Sequence, residues 1–269
     1  MNNGKHDLLV PEGRTLVVGI GEVGGALAEV LERSGPVLKH DLERMEFDEP
    51  IGVMHFCIPF SSRAQYESAA LEYIQRFRPA LTIINSTVLP GTTRSIGVKS
   101  GAQVAFSPVR GKHVRMAQDL VRYTKFVAAV DPQVAAMAAK HLESMGLKPR
   151  TMTKVETLEL AKLAETTYFG VQIAFAQELN RFAEALRADY FEATDFFEEV
   201  DFLPRVRYFP GFIGGHCVIP NIKLLQQLRD SDFLEAILKS NDERAHESGP
   251  DSSSRKGASP ADVRSQEPS

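Results

Sequence analysis

Cysteine is scarce in this chain: two among 269 residues, Cys57 and Cys217, far apart in sequence. Two isolated thiols exclude a disulfide framework and lack the spacing of a metal site; they fit a reducing compartment. Long apolar runs are absent as well. No stretch approaches the ~20 residues that a membrane span needs. The opening residues, Met1 to Asp7, are polar, so neither secretion nor membrane insertion is expected. Nor is positive charge in excess: 31 Lys and Arg against 35 Asp and Glu give a formal net charge of -4. That removes any general attraction to nucleic acid or anionic membrane and leaves polyanion recognition to local sites. A cytoplasmic protein is expected. What is present is ordinary globular composition, 43% hydrophobic and 25% charged, at a length that supports a full core and two domains.

Arg14 to Ile20 is a short apolar run that flows into Gly19-Ile20-Gly21-Glu22-Val23-Gly24, after which Val23 to Leu31 repeats at helical spacing. Strand, glycine turn and helix follow in order. A second apolar run, Pro36 to His40, ends on Asp41, seventeen residues beyond Gly24. In this context the glycines would admit a pyrophosphate against the helix N-terminus, and Asp41 would accept the ribose hydroxyls. An acid there also repels a 2'-phosphate, which favours NAD over NADP. Gly19, Gly21, Glu22, Val23, Gly24 and Asp41 are therefore candidate cofactor-binding residues. The alternative is a glycine turn that only packs helix on strand.

Alternation continues: Ile51 to Pro59, Ala80 to Asn85, Gln103 to Phe106 and Phe126 to Val130 read as strands, Ser61 to Phe77 and Pro132 to Met145 as helices. The pattern predicts an α/β fold with a Rossmann-type, doubly wound parallel sheet. Cys57 reads as core. Two polar loops, Asn85 to Thr93 and Ser107 to His113, follow strands, and ligands of open parallel sheets bind beyond the carboxyl ends of strands. Pro59, Ser86 and Thr87 join the candidate cofactor residues on that ground. Arg110, Lys112, His113 and Arg115 form either an anion clamp for substrate or a solvated basic loop.

Thr153-Lys154-Val155-Glu156 reads as a capping box, and helix-forming residues then run to about Ala188, a span of ~50 Å at ~1.5 Å per residue. Lys162 and Thr166 share one face of it. Phe169, Phe175, Leu179, Phe182 and Leu186 read as core or subunit interface. A helix over Ala193 to Phe202 leads to the loop Phe209 to Asn221, and helices follow from Ile222 to Lys239. Cys217 sits in that loop after Gly214, Gly215 and His216, just before a helix start, where a thiolate would be favoured; the alternative is a buried structural cysteine. After Ser240 the composition is that of a disordered tail. The expected organisation is a flexible N-terminus (1–12), an NAD-binding domain (13–152), a helical substrate and dimerisation domain (153–240) and a disordered tail (241–269).

Four landmarks together resemble the UDP-glucose/GDP-mannose 6-dehydrogenase family, closest to its UDP-N-acetylmannosamine dehydrogenase branch. They are the glycine turn with Asp41, Ser86-Thr-Val-Leu-Pro-Gly-Thr-Thr93, Glu159-Leu-Ala-Lys-Leu-Ala-Glu165 and Gly214-Gly-His-Cys217. The resemblance covers about residues 13 to 240. It implies two-step oxidation of a primary alcohol to a carboxylate with two NAD, in which Cys217 adds to the aldehyde and a thioester is hydrolysed. It further implies that Lys162 stabilises the oxyanion and that Thr87 holds a water or substrate hydroxyl. Thr166 and Asn221 stand at two further catalytic positions, Gly214, Gly215 and His216 join Arg110, Lys112 and His113 as candidate substrate contacts, and a homodimer through the long helix is implied.

The departures are specific. Val109 follows Pro108 where the family has the glutamate of thioester hydrolysis; Thr166 replaces an asparagine and Asn221 an acid. The family's C-terminal domain has no counterpart in this sequence. Glu165, His216 or His113 would have to serve as the hydrolytic base, or the reaction would stop at the aldehyde. Two functions stay open: a dehydrogenase for a primary alcohol on a sugar, nucleotide-sugar or related small anionic molecule, or a catalytically reduced NAD-binding homologue acting as a regulatory subunit. No metal is expected.

Overall fold

The computed structural model describes residues 11–41, 47–198, 200–201 and 208–247. It divides into two compact units whose sequence boundary lies between Lys162 and Leu163.

The first unit is built on β1 (Arg14–Val18), β2 (Val37–His40), β3 (Ile51–Phe56), β4 (Leu81–Ile84), β5 (Val104–Phe106), β6 (Thr124–Ala129) and β7 (Lys148–Thr151). Among the described residues these strands form one sheet in the order β2-β1-β3-β4-β5-β6-β7. Successive side chains on a strand point to opposite faces, and here both faces are covered. Val17, Val53, Leu81, Ile83 and Val127 pack under α1 (Glu22–Glu32), α4 (Met116–Arg122) and α5 (Pro132–Ser144). Leu16, Val18, Met54, Phe56, Ile84 and Phe106 pack under α2 (Arg63–Phe77), α3 (Thr92–Ser100) and the start of α6 (Val155–Leu186). Double coverage explains why these strands read as continuous apolar runs rather than alternating ones. The α/β expectation holds.

Three details differ from the sequence reading. The sheet is not wholly parallel: β6 runs antiparallel to β5. Only a 3-10 turn (His113–Arg115) and the seven-residue α4 separate them, and β6 begins at the end of the sheet where β5 stops. β7, sequence Lys-Pro-Arg-Thr, is a largely exposed edge strand, without the apolar pattern that marks a strand. And α3 begins inside the segment read as a polar loop.

The second unit holds the remainder of α6 with α7 (Tyr190–Glu198), α8 (Val218–Gln226) and α9 (Asp232–Glu247). Ile173, Ala174, Ile213, Val218, Ile222, Leu234 and Ile237 form its core. Gly170 lets α8 approach α6: a Cβ there would lie 2.9 Å from both Val218 Cγ1 and Ile222 Cδ1. Order does not end at Ser240 as expected, because α9 runs on to Glu247 with Asn241 and Arg244 buried against α6. The rest of the expected tail (248–269), most of the expected flexible N-terminus (1–10) and Phe202, the expected end of the α7 region, lie outside the described residues.

Of the aromatic and leucine positions on α6, Phe169 and Leu179 are partly buried. Phe175 and Phe182 are each 61% exposed and Leu186 is 78% exposed. No helix among the described residues is long and apolar enough to cross a membrane.

Candidate functional site

The glycine turn follows β1 directly. Gly19 has φ +84°, and its N–H donates to the His40 carbonyl at 2.9 Å. A Cβ on Gly24 would lie 1.8 Å from the Gly19 oxygen, and one on Gly19 would lie 3.1 Å from the Cys57 carbonyl carbon and the Ile58 nitrogen. Both positions therefore demand glycine on steric grounds. Gly21 differs: it is exposed, a Cβ there would meet nothing within 4 Å, and as N-cap of α1 it makes no side-chain cap bond. The first amides of a helix have no intrahelical partner, so the head of α1, at Glu22, Val23 and Gly24, is open to an anion such as a pyrophosphate. Asp41 is exposed after β2 and Pro59 exposed after β3. These residues fit a dinucleotide.

The two loops beyond β4 and β5 are held from beneath. The Ser86 hydroxyl donates to the Ile58 carbonyl at 2.6 Å, and Thr87 is half-buried beside it. Lys125, near the start of β6, is buried; its ammonium donates to the carbonyls of Ser107 and of Pro108 (2.9 Å) and to Asn85 Oδ1 (3.3 Å). Asn85 Nδ2 donates in turn to His55 Nδ1 at 3.2 Å, and the Nε2 atoms of His55 and His141 share a hydrogen bond of 3.0 Å. An imidazole that accepts at Nδ1 carries its proton at Nε2, so His55 donates and His141 accepts. Burial lowers the Lys125 pKa to about 7, helped by the charges of Lys162 and Arg110. Burial also lowers His141 to about 4 and pulls His55 down. Val109, where the resembling enzymes have glutamate, is 5% exposed and packed in the core under the sheet.

The basic loop is tied into this unit rather than left as an open cluster. Arg110 donates to the Thr124 carbonyl at 2.7 Å and lies over the Phe126 ring. Buried Asp119 accepts from the Lys112 amide at 3.0 Å and from Arg115 Nε at 3.1 Å. His113 Nδ1 pairs with the Glu22 carboxylate, which brings together one candidate substrate residue and one candidate cofactor residue. Lys162 is half-buried on α6.

In the second unit Cys217 is the N-cap of α8, in no disulfide and half-buried, after exposed His216 and a Gly215 with φ +80°. Cys57, by contrast, is buried, and burial pushes its thiol up to about 12, which makes it inert. Asn221 is buried on α8; its Nδ2 donates to Thr166 Oγ1 at 3.0 Å, and the Thr166 hydroxyl donates to the Leu163 carbonyl at 3.0 Å. Two departures from the family pattern are thus bonded to one another. Gly214 is half-buried at the start of the turn.

Sequence reasoning singled out neither the Lys125–Asn85–His55–His141 chain nor the Asp119 anchor. A lysine and a histidine inside apolar strand runs were the available signal, since buried polar groups need partners.

Residues 156–243 match the UDP-glucose/GDP-mannose dehydrogenase family, central domain. The UDP-N-acetyl-D-mannosamine dehydrogenase of Methanocaldococcus jannaschii is 31% identical over 184 residues, 66% of this chain and 43% of that protein. The chain therefore spans less than half the length of this curated relative. Among solved structures, UDP-D-ManNAc dehydrogenase of Pyrococcus horikoshii matches with TM-score 0.75 at 22% identity, over 87% of this chain and 69% of that one. A UDP-glucose dehydrogenase of Pyrobaculum islandicum matches with TM-score 0.72 at 19% identity, over 90% and 70%. These likenesses establish the fold. With the match over α6 to α9 and the four landmarks in order, the chain carries a UDP-glucose/GDP-mannose dehydrogenase family central domain at residues 156–243.

Proposed function

We propose that the protein is a cytoplasmic NAD-dependent dehydrogenase that oxidises a primary alcohol of a sugar, nucleotide-sugar or related small anionic substrate, with Cys217 carrying the aldehyde on to the carboxylate. The observation that carries this reading is the presence in one chain of a glycine turn that accepts no side chain at 19 or 24 and a half-buried thiol at the head of α8. Gly19, Gly21, Glu22, Val23, Gly24, Asp41, Pro59, Ser86 and Thr87 would hold the dinucleotide. Bound NAD would supply a hydride acceptor for each two-electron step.

Thr87 would hold the substrate hydroxyl, and the Lys162 ammonium would stabilise the oxygen as it loses its proton. The Cys217 thiolate then adds to the aldehyde carbon, forming a C–S bond and a tetrahedral oxyanion. Sulfur addition converts an aldehyde, a poor hydride donor, into an adduct that can be oxidised to a thioester. Attack of water breaks the C–S bond and returns the thiolate with release of the carboxylate. Thr166 and Asn221 would fix the head of α8 through their mutual bond. Val109 cannot move a proton, so the hydrolytic base would be Glu165, His216 or His113, unless the reaction ends at the aldehyde. Arg110, Lys112, His113, Gly214, Gly215 and His216 would contact substrate. Tyr168, Phe175 and Phe182, exposed at seven-residue intervals on α6, support a homodimer through that helix.

A panel of primary alcohols, nucleotide sugars included, tests the reading with NAD. Two NADH per substrate are expected, and Cys217→Ala should abolish carboxylate while NAD binding persists. One NADH per substrate would limit the chemistry to the aldehyde. The second reading, a catalytically reduced NAD-binding partner subunit, is favoured by the burial of Val109 in the core and by the loss of an acid at Asn221. Tight NAD binding with no turnover on any alcohol would select it.

A further inference from the structure

The loop that carries Cys217 leaves the core at Gly211 to Ile213, and two buried amides receive it there. Gln177, on α6, has no exposed surface, and Asn241, on α9, has 3%. Gln177 Nε2 donates to the Gly211 carbonyl at 2.7 Å and to Asn241 Oδ1 at 3.2 Å. Asn241 engages both sides of one loop residue: Oδ1 accepts from the Ile213 N–H at 2.7 Å and Nδ2 donates to the Ile213 carbonyl at 3.3 Å. Ser240 Oγ donates to Gln177 Oε1 at 3.0 Å, so both donors and the acceptor of the glutamine amide are engaged.

A side-chain amide that bonds both polar groups of one residue replaces a neighbouring strand. It fixes the residue in height and rotation, where an apolar contact would fix neither. The glycine turn follows at once, and Cys217 is the fourth residue after Ile213. Beyond it, α8 is seated by Val218 and Ile222 over Gly170 and by the Asn221–Thr166 bond. The thiol is therefore bracketed. Its downstream bracket is apolar packing plus one bond, whereas the upstream bracket consists of the two amides.

From this geometry we infer that Gln177 and Asn241 are positioning residues for Cys217: they set the path of residues 211–213 and so the angle at which the thiol meets the first turn of α8. The inference rests on the reading of Cys217 as the sulfur nucleophile. The pair sits far from Cys217 in sequence and touches neither the sulfur nor any residue given a catalytic role. It would act on the thiol only through the backbone.

The test is alkylation of Cys217 by iodoacetamide in the full chain across pH, with the labelled peptide identified by mass. Buried Cys57, with its thiol near 12, takes no label while the protein is folded. Asn241→Leu keeps the branched heavy-atom outline of the side chain and removes both bonds to Ile213. It should raise the limiting labelling rate at least fivefold and displace the pH midpoint of labelling from that of wild type, with the Kd for NAD within twofold of wild type. Asn241→Asp retains the acceptor for the Ile213 N–H and should fall between the two.

Arg181→Ala is the control for general loosening. Arg181 joins α6 to α9 through the Ser240 carbonyl and Glu247 without touching the loop. It should lower the melting temperature and leave the labelling profile unchanged. Should Asn241→Leu fail to fold by circular dichroism, Gln177→Met, which removes the bond to Gly211, carries the same expectation. A folded Asn241→Leu or Gln177→Met that labels as wild type does, in rate and midpoint, overturns the inference, as does an equal change in Arg181→Ala. Labelling needs no turnover, so an enzyme that oxidises no alcohol would remove the dehydrogenase reading and leave this test standing. In an active enzyme, aldehyde formation should survive Asn241→Leu while carboxylate formation falls at least tenfold.

Discussion

Glu159, on α6, caps the head of α3 through Thr93: its carboxylate accepts from the Thr93 N–H at 2.9 Å, the Thr93 hydroxyl at 2.7 Å and the Gly91 N–H at 2.6 Å. α3 has no side-chain cap of its own, and its N-cap, Gly91, lies at φ +90°. The acid therefore supplies from another element what a serine or aspartate usually supplies locally. Burial raises the Glu159 pKa while its three donors oppose that rise. Glu159→Ala leaves buried donors unpaired and should destabilise the protein by about 3 kcal/mol, with Glu159→Gln costing roughly half as much. Urea midpoints of the two variants decide the point, and equal midpoints for Ala and wild type would refute it.

The buried bases give a pH dependence of defined sign. Lys125 falls from 10.5 to about 7 on folding and His141 from 6.5 to about 4. Between each pair of values the unfolded chain holds a proton that the folded protein has released, so stability rises with pH across both windows. The Lys125 window runs upward from about 7, and its full effect is on the order of 4 kcal/mol. Denaturation at pH 7 and pH 9.5 should show wild type gaining on Lys125→Met as pH rises. A constant gap between the two would contradict the burial of a titrating amine.

Gly170→Ala places a methyl group against Val218 and Ile222, and overpacking of this kind costs about 1–3 kcal/mol. Because α8 begins at Cys217, the same change should slow carboxylate formation more than aldehyde formation. The double variant Gly170→Ala with Ile222→Val restores space at the contact and should recover part of the lost stability, as a thermal melt would register.

The exposed aromatic stripe on α6 carries the dimer proposal. Phe175→Glu with Phe182→Glu places like charges on a self-facing surface and should convert a dimer to a monomer in light scattering, with the secondary structure unchanged. A wild-type protein that is already monomeric at micromolar concentration would remove the proposal.

Much of the first unit is legible in the residues alone. A strand buried on both faces reads as an apolar run, and the Gly19 to Gly24 turn is a local backbone constraint in which a Cβ would strike the next turn of the same chain. The start of α6 and the placement of Cys217 before a helix are equally local, set by composition within a few residues. β7 escaped because an exposed edge strand needs no apolar pattern, and α3 escaped because its cap comes from Glu159, sixty-six positions away from Thr93.

Sequence by itself determined where most of the apolar strands and the longer helices run, that a glycine turn opens the fold, and which thiol lies beside a helix start. Tertiary structure alone decided that β6 reverses, that Val109 joins the core, that Lys125 ties two loops together and that Asn241 holds Ile213. The physical reason is the range of each force. Backbone sterics and hydrophobic periodicity act between near neighbours, whereas the partner of a buried polar group depends on which distant segments pack against it.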